Sequence, residues 1–220
     1  ETVLPVATPT MLRMAPMMLA ASQVINLSEA TTVFTIAQNG EYTFTGEWPD
    51  KGDLYWNTNG QVITVKTGVT ATLNCQNATI KNGNSDGRYN GLNLEAGAHV
   101  TLNLRGTNQF LATPSVSGAA IHVPAGASLT IEGGEEDSLL ARSRSYGAGI
   151  GGNSGEDAGT IIIKGGNIYA TSGYREDDSE VPGLSKSGAG IGGGADGASG
   201  TSKNHGGAVL AKSSQAAEIG

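Results

Sequence analysis

The hexapeptide Gly147-Ala148-Gly149-Ile150-Gly151-Gly152 recurs letter for letter as Gly188-Ala189-Gly190-Ile191-Gly192-Gly193. Looser relatives are Ala119-Ala120-Ile121-His122, Asn90-Gly91-Leu92-Asn93 and the final Ala217-Glu218-Ile219-Gly220. With the central aliphatic as a mark, Leu92, Ile121, Ile150, Ile191 and Ile219 are separated by 29, 29, 41 and 28 residues. Stepping back by 29 from Leu92 lands on Ile63 and then on Phe34, both inside alternating stretches. A fixed period of this length marks a chain built from stacked supersecondary units.

Other features keep the same phase. Ala71 and Leu73, Val100 and Leu102, and Leu129 and Ile131 lie eight and ten residues after their marks. A glycine comes five residues after each of those marks, at Gly68, Gly97 and Gly126. In the next unit the strand is displaced by three residues, to Ile161 and Ile163. Glycine pairs follow at Gly133-Gly134, Gly165-Gly166 and Gly206-Gly207, and a third alternating strand is marked by Phe110 with Ala112, Ile168 with Ala170, and Val209 with Ala211. Each unit therefore reads as three short strands of period two, joined at glycine corners. Leucine-rich repeats share the length but need a convex segment and a fixed Asn or Cys. The expected fold is an all-β, right-handed parallel β-helix of about six coils, its hand set by the crossover rule. Residues 1–25 read as an N-terminal extension, 26–60 as a cap and first coil, and 61–220 as the repeats, cut mid-repeat.

Composition agrees with this reading. Glycine makes up 34 of 220 residues, about twice average usage. The glycines keep no three-residue period and prolines number 7, which excludes collagen. Thirteen basic against 20 acidic residues give a net charge of −7. That balance disfavours nucleic acid and anionic membrane surfaces as partners. No apolar run approaches the ~18 residues of a membrane span, so no membrane insertion is expected. Cys75 is alone and reads as a buried core thiol.

Two places break the period. The 41-residue gap contains the charged loop from Gly173 to Ser187, where Tyr174, Arg175, Glu176, Asp177 and Asp178 are candidate ligand-binding residues. In the fifth unit Thr201-Ser202-Lys203-Asn204-His205 replaces an aliphatic strand, so that coil is expected to be frayed, capped or locally different. Tyr42, Phe44, Trp48, Tyr55 and Trp56 crowd the N-terminal side and suit a hydrophobic lid, while Trp48 and Trp56 are also candidate sugar-stacking platforms.

The phrases Gly-Ala-Gly-Ile-Gly-Gly, Gly-Thr-Ile-Ile-Ile-Lys-Gly-Gly and Asn-Ile-Tyr-Ala-Thr-Ser-Gly resemble the glycine-rich β-helix repeats of Gram-positive, often gut-bacterial, surface proteins. The resemblance covers about residues 91 to 220. It implies a secreted or cell-surface, adhesin-like or carbohydrate-binding protein, and it carries over no catalytic residue.

Candidate chemistry is sparse. The Gly-Ala-Gly-Ile-Gly-Gly phrases lack the following helix that a dinucleotide loop requires and repeat with the coil, so they read as corners. His122 and His99 adjoin inward aliphatics and should point outward as solvated histidines, with His205 in a third unit. Glu156, Asp157 and Asp196 occupy equivalent turns one coil apart and form a candidate Ca2+ site. No other cofactor is expected. The first functional expectation is a non-catalytic extracellular binding, adhesion or stalk module recognising glycan or host protein. It would be part of a longer repeat protein or capped by a neighbouring chain. The alternative is a β-helix polysaccharide lyase or glycosidase in which calcium assists a base such as Arg175 or Lys186.

Overall fold

The computed structural model describes residues 17–19, 22–48, 62–82, 90–112, 117–174 and 179–215. In chain order its strands are β1 (Met17–Leu19), β2 (Gln23–Asn26), β3 (Phe34–Ile36), β4 (Gly40–Glu47), β5 (Ile63–Val65), β6 (Thr70–Asn82), β7 (Leu92–Leu94), β8 (His99–Arg105) and β9 (Thr107–Ala112). There follow β10 (Ile121–His122), β11 (Ser128–Glu132), β12 (Ser138–Ser143), β13 (Ile150–Gly151), β14 (Thr160–Ile163), β15 (Asn167–Ser172), β16 (Ile191–Gly192), β17 (Thr201–Asn204) and β18 (Ala208–Ser213). A single 3-10 turn, Leu27–Glu29, is the one helical element among the described residues.

All these strands pair in parallel, each with its counterpart one coil away. The first face is a seven-stranded sheet in the order β1-β3-β5-β7-β10-β13-β16. Its register joins Phe34 to Ile63, Ile63 to Leu92, Leu92 to Ile121 and Ile121 to Ile150. Those are four steps of 29 residues, and a 41-residue step to Ile191 follows. The chain is thus a parallel β-solenoid.

The remaining strands form one sheet folded into two faces. β6 is long enough to belong to both: Thr70–Gln76 pair with β8, and Thr79–Asn82 pair with β9. The bend between them falls at Asn77, whose φ of +50° lies in the left-handed region. One coil later the same corner is Gly106, at φ +67°. Asparagine and glycine are the residues that tolerate this conformation. Gly68, Gly97 and Gly126, at φ +75°, +83° and +83°, turn the chain from the first face to the second.

Alternation places one side of every strand inside. Ile63, Leu92, Ile121 and Ile150 are wholly buried, as are Leu102, Leu129 and Ile161 on the second face. Burying each such side chain contributes about 1.5–3 kcal/mol, and a one-residue slip would turn every one of them out to water. Cys75 belongs to this core. It is fully buried, and burial pushes its thiol pKa up to about 12.

Three local expectations need correction. The inward pair equivalent to Ile168 and Ala170 is not Phe110 and Ala112. Register joins Ile168 to Leu139 and Asn108, and Ala170 to Ala141 and Phe110. The polar residue at an inward position hid this phase. Asn108 is fully buried; its Oδ1 accepts from Ala78 N at 2.9 Å and its Nδ2 donates to Arg105 O at 3.2 Å. β17, expected to be frayed, capped or locally different, is not frayed: it pairs with β14 over four residues, and the local difference is that polar Ser202 and Asn204 occupy the register of Ile161 and Ile163. His122, expected as a solvated histidine, is 8% exposed, because side chains from the coils on either side close over its ring.

Candidate functional site

The third face, made by the C-terminal part of β6 with β9, β12, β15 and β18, carries the groove that best suits a ligand. Register aligns three ranks of outward residues across the coils. The first is Thr107, Ser138, Asn167 and Ala208, and the second is Gln109, Leu140, Tyr169 and Leu210. The third rank is Leu111, Arg142, Thr171 and Lys212. Leu111, Arg142 and Thr171 are buried, whereas Gln109, Leu140 and Tyr169 are half-buried and Leu210 is 53% exposed. The first two ranks, with the residues between them, line an open groove of about 450 Å³ on β9, β12, β15 and β18.

Tyr169 is one of the residues lining this groove. Its backbone neighbours Ile168 and Ala170 are buried, so alternation turns its ring outward. Lys212 Nζ lies 5.3 Å from the centroid of that ring and Arg142 Cζ lies 5.9 Å from it. Lys212 is also 6.0 Å from the ring of Tyr174, so one ammonium caps two aromatic rings. Cation–π contacts of this kind hold ring and charge in a fixed relation. Tyr174 is placed by the turn after β15, where it bridges to Glu180 in antiparallel fashion and Val181 N donates to Gly173 O at 2.9 Å.

A ladder of serines fixes the end of the face. Ser143 Oγ donates to Gly118 O, Ser172 Oγ to Gly147 O and Ser213 Oγ to Gly188 O, at 2.9, 2.7 and 2.9 Å. Each bond spans 25 residues and closes the corner that leads to the next first-face strand. The glycines at this corner have no room for side chains. A Cβ on Gly147 would overlap the backbone of Gly118 and Ala119.

The carboxylates expected to gather around calcium each have a separate partner. Glu156 Oε2 bonds His122 Nε2 at 2.8 Å. Asp157 Oδ1 accepts from Ala198 N at 2.6 Å, one coil later. Asp196 receives Lys186 Nζ on both oxygens at 2.8 Å. Among the described residues no group of three or more His, Cys, Asp or Glu side chains is placed to hold a metal ion. Lys186, cast above as a base, is committed to this ion pair.

His122 forms a small cluster of its own. Nδ1 contacts Asn93 Oδ1 at 2.6 Å and Nε2 contacts Glu156, so both ring nitrogens are engaged. Such a histidine binds coils together; neither nitrogen faces a substrate. Nearby, Asn90 Nδ2 donates to Asn153 Oδ1 at 2.8 Å and to Ala119 O at 2.6 Å, while Asn153 Oδ1 also accepts from Ala119 N. Buried amides of this kind carry the backbone groups of an irregular corner.

Of the aromatic candidates, Trp48 is buried at 6% exposure, with its ring edge-on to Phe34 at 5.9 Å. Its faces are spent on the core together with Tyr42 and Phe44, so it offers no platform to a sugar. Trp56, Arg175, Glu176, Asp177 and Asp178 lie outside the described residues. Tyr174 is the one residue of the expected loop site that can be placed, and its ring shares the Lys212 ammonium with that of Tyr169. Tyr169, Leu140 and Lys212 were missed by reading marks alone. Their signal is the outward position of the third strand, where a solvated face usually carries polar residues and this one carries an aromatic and two leucines. No protein-family model, curated protein or solved structure matches this chain.

Proposed function

We propose that this protein is a non-catalytic binding or adhesion module of a bacterial surface, engaging an extended glycan through the third-face groove. The supporting observation is the groove itself: an open channel of about 450 Å³ lined by Tyr169 with exposed Leu210 beside it. Apolar ring faces of sugars pack on aromatic side chains, and the rank of Thr107, Ser138 and Asn167 supplies hydroxyl and amide partners for their hydroxyls. Among the described residues, Glu156, Asp157, Asp196 and Lys186 are engaged in ion pairs and coil-to-coil bonds. The resemblance to repeats of Gram-positive surface proteins agrees with an extracellular setting.

A glycan array probed with the whole chain and with Tyr169→Ala tests this reading. Retention of at least one glycan class by the parent, lost in the variant while its far-ultraviolet circular dichroism is unchanged, is the expected result. An array that stays blank, or binding indifferent to Tyr169, would overturn it.

A further inference from the structure

We propose that the third-face groove takes a neutral, unbranched polysaccharide laid along the solenoid axis and discriminates against charged sugars. The proposal rests on the binding-module reading and names the class of glycan within it.

Three observations carry it. The first is the lining. None of the described residues that line the groove is charged. The second face is built by the same alternation over the same coils, yet it turns Glu132 and Lys203 outward and carries the Lys164–Glu132 ion pair at 2.9 Å. An ion brought into the groove gives up water and meets no opposite charge, which costs free energy that a neutral sugar does not lose. The nearest cations are committed elsewhere: Arg142 is buried, and both it and Lys212 lie over the ring of Tyr169.

The second is the rim. Glu135 and Glu136 are exposed at the corner before β12. Asn167, which lines the groove, donates from Nδ2 to Glu135 O at 2.5 Å, so this acidic corner borders it. In a chain of net charge −7 the two carboxylates add to the repulsion of a polyanion.

The third is the pairing of ranks. The hydroxyls of Thr107 and Ser138 have no hydrogen-bond partner among the described residues. Beside them Leu140 and Leu210 stand on the two coils either side of Tyr169, so apolar surface runs in the direction of the axis. A sugar residue divides in the same way, with hydroxyls around its edge and C–H groups on its faces. Each rank repeats once per coil at a spacing of about 4.8 Å, so an unbranched chain meets both ranks again on each successive coil.

The test is isothermal titration of the whole chain with three neutral hexamers, cellohexaose, mannohexaose and chitohexaose, and with two charged ones, hexagalacturonate and fully deacetylated chitohexaose. At least one neutral hexamer should bind, about tenfold or more tightly than either charged one, a difference of ~1.4 kcal/mol. Its affinity should not change with salt, and shortening it to the disaccharide should weaken it. Ser138→Ala and Leu210→Ala should each weaken that binding several-fold with unchanged thermal midpoint. A charged hexamer that binds as tightly as the best neutral one, an affinity that falls as salt rises, or two variants that both bind like the parent would overturn the proposal and leave the binding-module reading standing. Failure to bind any hexamer also overturns it; the reading beneath it falls only if the glycan array is blank as well.

Discussion

Gly151 shows how narrowly a single position of the repeat is constrained. Its φ of +141° is one that side-chain-bearing residues rarely adopt, and a Cβ there would fall onto the carbonyl oxygen of Gly192 in the next coil. Gly68 shares a positive φ, +75°, but a Cβ there would meet nothing within 4 Å. The two positions separate crowding from conformational strain. Gly151→Ala should cost at least about 3 kcal/mol, through overlap added to backbone strain. Gly68→Ala should cost only about 1–2 kcal/mol, the left-handed penalty alone. Urea denaturation of both variants measures the difference, and equal losses would mean that the first-face strands do not approach as described. The phrase Gly-Ala-Gly-Ile-Gly-Gly was legible as a corner because its glycines recur in phase. The burial of His122 was not, since the Glu156 that closes over it lies 34 residues away and in another coil.

Between elements, the corners rather than the strands carry the most specific polar chemistry. Asp137 precedes β12 and ties two corners together. Its Oδ1 accepts from Gly106 N at 2.7 Å, and its Oδ2 accepts from Gly134 N at 2.8 Å and from Arg105 Nη1 at 3.3 Å. These backbone donors, with the Arg105 guanidinium behind them, hold the carboxyl below the ordinary aspartate range. A depressed folded-state pKa means that the native state binds the proton less readily than the unfolded chain. The stabilisation is therefore present above the unfolded value, near pH 4, and is lost as pH falls through the folded value. Asp137→Asn should be less stable than the parent by about 1–3 kcal/mol at pH 7, and the gap should close as pH falls through the folded-state pKa of Asp137. Thermal melts across that range check it, and a gap that persists in acid would contradict it. A second pair acts likewise on the first corner. Burial would raise the pKa of Glu95, but hydrogen bonds from Lys66 and Thr67 outweigh it and leave that carboxyl low. The sequence marks set β9 out of phase and left β12 unmarked, where a buried asparagine and a short Ser-Leu-Leu run obscure the aliphatic alternation. Period-two reading follows apolar side chains; it does not see Asn108, whose inward place is set by hydrogen bonds to Ala78, Arg105 and Ser138.

Across the whole molecule, one translation repeated coil after coil creates both the core and the binding face. The aliphatic ladder that stabilises the interior forces Gln109, Leu140, Tyr169 and Leu210 into a row outside. The row needs no dedicated scaffold, because alternation supplies it once the register is set. This is why the architecture was readable from a 29-residue period, while the groove was not: its members share a face only after β9, β12, β15 and β18 are correctly aligned. The charged excursion after β15 accounts for the 41-residue step from Ile150 to Ile191, and its Tyr174 shares the Lys212 ammonium with Tyr169.

The stacked register is the claim on which the groove depends, and distances along the axis test it most directly. Nitroxide labels at outward positions of the second face, paired as Thr72 with Lys203 and as Thr101 with Lys203, can be measured by pulsed electron spin resonance. Register places Thr72 four strands and Thr101 three strands from Lys203. At about 4.8 Å per step, backbone separations of roughly 19 and 14 Å are expected, so the first pair should read longer than the second by about one strand spacing. Equal distances, or a Thr72 pair shorter than the Thr101 pair, would contradict the solenoid and the groove with it.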